Sequence, residues 1–522
     1  MDVSAFDPNG FLMRSFIGAT WILLGLTLCC AFQLNAQDPR AIQEAYFPVP
    51  DTTFTTPAFE SKRGFTTNET MERFLRELVL DSNNLTLDSL GTSAKGKVIW
   101  GVRSPAGKDK LKLLFFGGLH GNEPAGTESL LVFLQQITEG GKLHSYLEEV
   151  ELLVIPMANP DGYDKQNRYA ANGLDLNRDQ TKLINKEVVL LKREYALFDA
   201  DVVVDFHEYK PYRADFVSMG SFGVTSAFDA MFLYSGNLNV PEPIREATEA
   251  LLVEPARNSL ADNGRTFHNY IRPSVIRGKM RFHVGATNAR SSATSFALAN
   301  SLSVLMEIRG VGLKRKGFER RVETGYLLAT SFLKSAHQFK DSIQLARVQG
   351  RRSKQDVVVK SSKKVTRTQL DFIDLSDQAL RPFDIEMHDG LSLSPDSIRS
   401  RPIAYIILPE AAHVVEKLRI LGIVVEPAPA GTYEIERYLV TGNLLKPEFF
   451  EGFQERIVTA ATEVELREVP PGSLWVPSNQ ERFNLAIECL EPEAICGLIR
   501  YRVLEIENTI PILRVIKPAS NL

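Results

Sequence analysis

His120 and Glu123, three positions apart in LKLLFFGGLHGNEPAG, are the first residues whose types suggest chemistry. They follow an apolar run and a Gly-Gly pair, which predict a buried strand and a turn that aims both side chains at one point. Imidazole nitrogen and carboxylate oxygen are ligands that Zn²⁺ accepts, and a catalytic site needs a third protein ligand. The spacing alone is weak evidence, because about half an instance of His-x-x-Glu is expected by chance among eight histidines.

A second copy of this spacing, His413 and Glu416, lies in AAHVVEKLRI. The stretch predicts the middle of a helix and has no catalytic-looking neighbours. We interpret this copy as structural, so the first copy needs support from other segments.

His207 is the candidate for the third ligand. It ends the apolar run of DVVVDFHEYK, which predicts a buried strand. Ligands of open α/β sheets gather at the carboxyl ends of the strands, so His207 can face His120 if the two strands are parallel neighbours. Taken alone, a histidine after a strand is more often a packed or capping residue.

Arginine and asparagine side chains are concentrated between the candidate ligands, in NPDGYDKQNRYAANGLDLNRD at 159–179. Arg168 and Arg178 each offer a planar fork that grips a carboxylate, and Asn177 adds a further donor. The alternative is a turn-rich surface loop with incidental arginines. The position of the segment between two metal-ligand candidates favours a binding loop.

These segments, in order and spacing, resemble the zinc carboxypeptidases of the M14 type, or funnelins, over roughly 65–340. The resemblance rests on HGNE at 120–123, NPDGY at 159–163, GLDLNRD at 173–179, DFHE at 205–208 and MEIRG at 306–310. It implies an α/β fold with a mixed, mostly parallel central sheet flanked by helices, and one zinc ion per chain.

The resemblance also implies catalytic roles. His120, Glu123 and His207 would ligate the zinc, and Glu307 matches the general base that activates water. The structural alternative for Glu307 is a strand-end acid paired with Arg309. A buried acid in an apolar strand requires some partner, which keeps this alternative open, and the catalytic role is favoured.

Four residues of the 159–179 segment also match functional residues of the family. Asn177 and Arg178 match the pair that holds a terminal carboxylate, and Arg168 matches the arginine that polarises the scissile carbonyl. Asp175 matches the acid that orients the first zinc histidine. Asp179 departs from the usual asparagine, and it is expected either to bind a basic group or to weaken anion binding.

Classical members carry a mobile tyrosine ahead of the catalytic acid. Tyr270, His283 and Arg290 lie in the corresponding stretch, and none is an unambiguous match. The pocket for the substrate's side chain is expected from 212–300 and is not assigned to particular residues.

Apolar runs alternating with amphipathic segments predict the elements that position these residues. The predicted strands are Val98–Val102, Leu111–Phe116, Val150–Pro156, Val202–Phe206 and Leu302–Met306, and the predicted helices are Pro124–Thr138 and Glu187–Phe198. A polar, strongly basic run at 349–364 breaks this alternation, and we interpret it as a solvated linker rather than a binding patch.

The chain is predicted to divide into a signal peptide at 1–36, a lead-in at 37–64, a catalytic domain at 65–345, a basic linker at 346–366 and an accessory domain at 367–522. The accessory domain is expected to be smaller and mixed α/β or β-rich. Its segments at 401–426 and 489–505 resemble an extension attached to some bacterial members of the family.

The uncharged stretch 15–36 follows Arg14 and precedes polar residues, which is the order of a secretory signal peptide. The protein is therefore expected to be exported, periplasmic or secreted, with no stable membrane span after signal removal. An uncleaved anchor is the alternative, since the stretch is long enough to span a bilayer. Two of the four cysteines, Cys489 and Cys496, would remain and could form a disulfide.

The sequence thus predicts an exported zinc metallocarboxypeptidase that acts on peptides with a free C-terminal carboxylate. The alternatives are a zinc amidohydrolase acting on cell-wall peptides or N-acyl amino acids, and an inactive binding module. A formal net charge of −4 gives no whole-chain electrostatic case for a nucleic-acid partner.

Overall fold

The structure is a computed structural model that describes residues 40–60, 63–276, 279–507 and 509–518. The predicted signal peptide at 1–36 lies outside these residues. No helix in the described ranges combines the length and apolar character needed to cross a bilayer.

Strands and helices alternate through the first two thirds of the described chain. The strands are β1 (Thr86–Thr92), β2 (Val98–Arg103), β3 (Leu111–Gly117), β4 (Val150–Ile155), β5 (Val202–Tyr209), β6 (Val224–Ser226), β7 (Ala230–Tyr234), β8 (Phe267–Asn269), β9 (Ile271–Ile276), β10 (Lys279–Val284), β11 (Leu302–Arg309), β12 (Val357–Asp374), β13 (Leu380–Arg399), β14 (Ala404–Ile407), β15 (Glu426–Pro427), β16 (Thr432–Phe450), β17 (Phe453–Glu468), β18 (Leu474–Pro477) and β19 (Thr509–Pro518). The α-helices span Arg40–Tyr46, Pro57–Glu60, Asn68–Leu80, Pro124–Ile137, Pro160–Tyr163, Lys186–Phe198, Glu242–Ala247, Glu254–Asp262, Ser292–Leu298, Phe318–Gln338, Lys340–Arg352, Val415–Ile420 and Phe483–Leu490.

The central sheet has eight strands in the order β1-β2-β4-β3-β5-β11-β7-β8. Its four middle strands, β4, β3, β5 and β11, run parallel, and β2 and β7 continue the sheet antiparallel. The helices Pro124–Ile137 and Phe318–Gln338 pack against each other and on β3, and Ser292–Leu298 packs on β11. The predicted α/β fold with a mixed sheet flanked by helices is confirmed.

β5 and β11 extend beyond the predicted apolar runs, to Tyr209 and Arg309. Every residue of β5 is buried, and its polar end keeps pairing with β11, with His207 opposite Glu307. Both candidate residues therefore lie within strands at the middle of the sheet, because a paired neighbour sustains a strand past the end of its apolar run.

The second sheet has the order β6-β12-β13-β10-β9 and joins strands from both sides of the predicted linker. Residues 346–366 comprise the end of the helix Lys340–Arg352 and the first part of β12. That part of β12 is largely exposed, so its charges stay solvated while its backbone pairs with β13. The domain boundaries themselves stay a prediction.

The third sheet has the order β15-β18-β14-β19-β16-β17 and confirms the β-rich character of the C-terminal part. β16 and β17 form a long antiparallel hairpin whose last pair is Phe450 with Phe453. Cys489 and Cys496 are both buried and free, so the disulfide that the sequence left open is absent from the structure.

Candidate metal centre and active site

The loop after β3 brings His120 and Glu123 to the carboxyl edge of the parallel strands. Gly118 has a φ of +62°, a left-handed conformation that turns the chain out of the sheet. A Cβ atom on Gly121 would lie 2.1 Å from the carbonyl carbon of Gly162, so only glycine allows the loop to approach this neighbour. Glu123 then directly precedes the helix Pro124–Ile137, and β5 carries His207 beside β3.

Three ligand atoms from these residues converge on one point. Nδ1 of His120 lies 2.8 Å from Oε1 of Glu123, and Nδ1 of His207 lies 2.7 Å from Oε2 of the same carboxylate. The two Nδ1 atoms are 2.9 Å apart. Among the described residues, these three make up the only cluster of histidine, cysteine and acidic side chains suited to a metal ion.

The outward contacts of the two histidine rings test whether this triad fits a cation. Nε2 of His120 lies 3.0 Å from Oδ1 of Asp175, and Nε2 of His207 lies 2.8 Å from Oδ2 of Asp205. Each carboxylate can accept a ring proton from Nε2, and each Nδ1 would then present its lone pair to a cation in the centre of the triad. Two such nitrogen atoms and a carboxylate at this separation need a proton or a metal cation between them, and as a donor set they fit Zn²⁺.

The charges of the triad also favour a cation. Burial alone would lower the pKa of His207, but the carboxylates of Asp205 and Glu123 raise it well above its usual value. Burial would raise the pKa of Glu123, yet the two histidines lower it below its usual range. Both shifts have one cause: the buried carboxylates of this site favour a positive charge beside them.

Arg168 is tied to the triad through two acids. Its Nη1 donates to Oε1 of Glu123 at 3.1 Å, and its Nη2 donates to Oδ2 of Asp175 at 2.9 Å. Asp175 therefore bridges His120 and Arg168. A third of the Arg168 side chain is exposed, which leaves the outer edge of the guanidinium open to a substrate.

Asn177 and Arg178 lie on the short turn that follows Asp175. Oδ1 of Asp175 accepts from the backbone N–H of Asn177 at 2.8 Å and so fixes the turn. The side chain of Asn177 accepts, through Oδ1, the backbone N–H of Ser292 at 2.8 Å, which joins this turn to the helix Ser292–Leu298. The guanidinium of Arg178 bonds to the carbonyl of Asn177 and stays partly exposed.

The expectation that Asp179 binds a basic group is wrong, because its carboxylate is already bonded within its own loop. Its carboxylate is buried and accepts bonds from the backbone N–H groups of Ile184 and Asn185 and from the Asn185 amide, at 2.8 to 3.1 Å. The side chain closes the turn that leads into the helix Lys186–Phe198. The aspartate that stands after Asn177 and Arg178, where the family usually has asparagine, is thus explained by the structure of its own loop.

Replacing Asp179 by alanine is expected to destabilise the fold by about 1–3 kcal/mol, because buried N–H groups lose their acceptor. The Michaelis constant for a peptide substrate should stay near the wild-type value. Chemical denaturation and steady-state kinetics on the same preparation measure both. A large rise in the Michaelis constant at unchanged stability would contradict this assignment.

Glu307 faces the same site from β11. It lies opposite His207 in the strand register, and Glu123, His207 and Arg168 are the charged groups that act on it most strongly. Burial, with the nearby Glu123 carboxylate, raises the pKa of Glu307 to about 8. A cation in the triad would act in the opposite direction, because positive charge favours the carboxylate.

The structural partner considered for Glu307 has other contacts. Arg309 donates to the carbonyl of Ser226, and its guanidinium lies 4.1 Å from the centroid of the Phe47 ring.

The second His-x-x-Glu copy is likewise structural: exposed His413 lies 3.1 Å from the Val503 carbonyl, and Glu416 pairs with Arg193 on the surface.

The sequence pattern predicted no role for Asp205, although the residue belongs to the DFHE motif at 205–208. Asp205 lies two positions before His207 and therefore on the same face of β5, which is the signal that identifies a histidine partner. Ser292 Oγ donates to its Oδ2 at 2.6 Å. The helix Ser292–Leu298 thereby touches both the metal side and the Asn177 side of the site.

Of the three candidates for a tyrosine-like position, Tyr270 lies at the site. Burial and the Glu307 carboxylate raise its pKa to about 12, and Arg213, Arg168 and Arg178 also act on it. His283 instead contacts Ser274, and Arg290 lies over the ring of Phe450. The sequence carried no signal for this difference, because it depends on how β9 and β10 are placed.

Comparisons with known proteins agree with this geometry. A family model described as zinc carboxypeptidase, Peptidase_M14, matches residues 71–195. The part of the chain that carries His120, Glu123 and Arg168 is thus similar to an M14 zinc carboxypeptidase domain. The protein is accordingly a zinc metallocarboxypeptidase that acts on peptides, as the sequence predicted.

The similarity to curated relatives extends far beyond the matched residues. Carboxypeptidase 2 of Trichophyton rubrum is 29% identical over 533 residues, covering 94% of this chain and 97% of that protein. Carboxypeptidase 2 of Trichophyton tonsurans is 29% identical over 95% of this chain and 98% of that protein. These relatives are fungal, and the comparisons do not confirm the bacterial membership that the resemblance implied.

Among solved structures, the carboxypeptidase A of Helicoverpa armigera aligns with a TM-score of 0.41 and 16% identity, covering 57% of this chain and 80% of that chain. A metallo-carboxypeptidase of Pseudomonas aeruginosa aligns with a TM-score of 0.40 and 19% identity, over 53% of this chain and 70% of that one.

Proposed function

We propose that this metallocarboxypeptidase removes the C-terminal residue from exported or extracellular peptides at the site just described. His120, Glu123 and His207 would hold one zinc ion. The observation that carries the proposal is the convergence of three ligand atoms, each histidine backed by its own carboxylate, beside Glu307 and Arg168.

Zinc held by three protein ligands supplies Lewis acidity, which lowers the pKa of a water molecule and polarises a carbonyl group. Glu307 takes the proton from the attacking water and later delivers it to the leaving amine. Its place opposite His207 in the sheet puts the carboxylate beside the triad, and its rigid strand keeps it there.

Arg168 stabilises the negative charge that develops on the carbonyl oxygen of the substrate. Asp175 and Glu123 accept from its guanidinium and leave its exposed edge for that oxygen. Because the arginine is oriented before the reaction begins, little reorganisation is needed as the charge forms.

Asn177 and Arg178 supply donors for the terminal carboxylate of the peptide. Since Oδ1 of Asn177 is occupied by the Ser292 N–H, its NH₂ group is the end that can donate to a ligand. The partly exposed guanidinium of Arg178 adds charge-assisted donors. A carboxylate held there places the last peptide bond over the metal site.

The exported setting rests on the sequence of the first segment. Residues 15–36 are uncharged and follow Arg14, which is the order of a secretory signal. We propose that the substrates are met outside the cytoplasm.

Purified protein is expected to contain one zinc ion per chain, and Asp205→Asn is expected to weaken zinc binding by about 10- to 100-fold. The asparagine amide can no longer hold the proton of His207 on Nε2 in the same way, so Nδ1 becomes a poorer ligand. Competition with a chelating dye measures the affinity.

Asp109→Asn, in an exposed turn, is the matched control and should bind zinc as the wild type does. Correctly folded protein that takes up no zinc would refute the proposed metal site. Unchanged zinc affinity in Asp205→Asn would refute the role of that carboxylate.

A further inference from the structure

The long hairpin of the C-terminal part reverses directly at the active-site loop. Its tip consists of Phe450, Glu451, Gly452 and Phe453, with the first and last residues paired. Glu451 and Gly452 have φ values of +50° and +81°. Two consecutive left-handed residues are typical of the type I′ turn, which favours asparagine or aspartate before glycine.

Glutamate at the first of these positions is conformationally unfavourable. A residue with a Cβ atom persists in the left-handed region when the surrounding contacts hold it there, and such residues cluster at functional sites. The contacts of Glu451 therefore show what holds the hairpin tip in this conformation.

The side chain of Glu451 reaches the loop that forms the active site. Its Oε2 accepts from the backbone N–H of Asp175 at 3.1 Å. Asp175 is the residue that bridges His120 and Arg168. The hairpin tip thus contacts the active-site loop at the residue through which the metal side and the arginine are joined.

Lys182, at the other end of the loop that begins at Asp175, contacts the same hairpin tip. Its Nζ donates to the carbonyl of Glu451 at 3.3 Å and lies over the rings of Phe453 and Tyr501, at 5.3 and 5.0 Å from their centroids. The hydroxyl of Thr181 also donates to the carbonyl of Cys496 at 2.9 Å. Residues 175–182 are therefore held at both ends by the C-terminal part.

The hairpin tip also contacts the segment that leads into the helix Ser292–Leu298. The guanidinium of Arg290 lies 4.9 Å from the centroid of the Phe450 ring. Two residues later, Ser292 donates its backbone N–H to Asn177. The tip therefore contacts the two segments between which the side chain of Asn177 is fixed.

We propose that the hairpin tip is a positioning element of the active site and that Glu451 is its main positioning residue. Acting through the Asp175 backbone, Glu451 holds the turn that presents Asn177 and Arg178 to the substrate. This inference rests on the proposed roles of those two residues. The C-terminal part, outside the residues matched by the family model, then contributes to substrate binding.

The sharpest test is Glu451→Asn in the full chain. Asparagine before Gly452 suits the turn better than glutamate, but its side chain is one carbon shorter and does not reach the Asp175 N–H. We expect thermal stability equal to or above that of the wild type, unchanged zinc content, and a Michaelis constant for a peptide with a free C terminus raised about tenfold.

Two further variants complete the test. Glu451→Gln keeps an acceptor oxygen at the right reach and should restore a Michaelis constant near the wild-type value. Glu448→Ala changes an exposed glutamate of the same hairpin and should leave the kinetics unchanged. A wild-type Michaelis constant in Glu451→Asn would overturn the inference. Inactivity of the wild type and Glu448→Ala would instead refute the proposed function.

Discussion

Replacing Glu307 by glutamine is expected to lower kcat by roughly 10²- to 10⁴-fold, the usual contribution of a positioned general base. Glutamine keeps the size and the hydrogen-bonding oxygen of the side chain but cannot accept the proton of the attacking water. Because Glu307 is outside the triad, zinc content should stay at one ion per chain. Steady-state kinetics and metal analysis on the same preparation measure both quantities.

Glu242→Gln is a suitable control, because this glutamate is exposed at the start of a helix in the catalytic part. It should retain wild-type kcat. Turnover of Glu307→Gln within a few-fold of the wild type would show that another group takes the proton. Loss of zinc in this variant would show that Glu307 belongs to the metal site instead.

Much of the fold that positions the site is predictable from the sequence. The apolar runs at 111–116 and 202–206 mark two neighbouring parallel strands. Except for Asp205, their buried residues are hydrophobic, because both faces of the sheet are covered by helices. Pro124 marks the start of the helix after Glu123, since proline suits the first turn. These local signals agree with the packing, so they identify the elements correctly.

The prediction was less complete where tertiary contacts override local pattern. β12, β13, β16 and β17 are long strands with few buried residues. Their sequences therefore show little alternation of apolar and polar residues. The run at 349–364 therefore predicted a linker, although strand pairing orders its second half. Asp179 was misinterpreted for a related reason, because its partners at 184–185 become evident only once the turn has folded.

The remaining site residues depend on the meeting of distant segments. Asp205 has a sequence signal, the two-residue spacing from His207. Glu451 has none, because it lies 276 positions from Asp175. The loop that carries Asp175 is thus held by the C-terminal part, which contains no recognisable catalytic motif. For this reason the sequence motifs could not predict the contact of Glu451 with Asp175.

Replacing Arg178 by glutamine is expected to lower kcat/KM by about 100-fold for peptides with a free C terminus, as for loss of one partner from a desolvated ion pair. Glutamine keeps a donor but loses the charge and the fork that matches a carboxylate. The wild type should show a comparable loss when the same peptide carries a C-terminal amide. Combining both changes should cost little more than either one alone, because each removes the same ion pair.

The paired design distinguishes substrate classes. Arg193→Gln serves as the control, since this arginine forms an exposed surface pair with Glu416 and should leave the preference for a free carboxylate intact. If the wild type cleaves free and amidated peptides equally well, the site does not recognise a terminal carboxylate. That result would favour a zinc amidohydrolase acting on internal or cell-wall amide bonds. Substituting Arg178 would then change kcat/KM equally for peptides with a free and with an amidated C terminus.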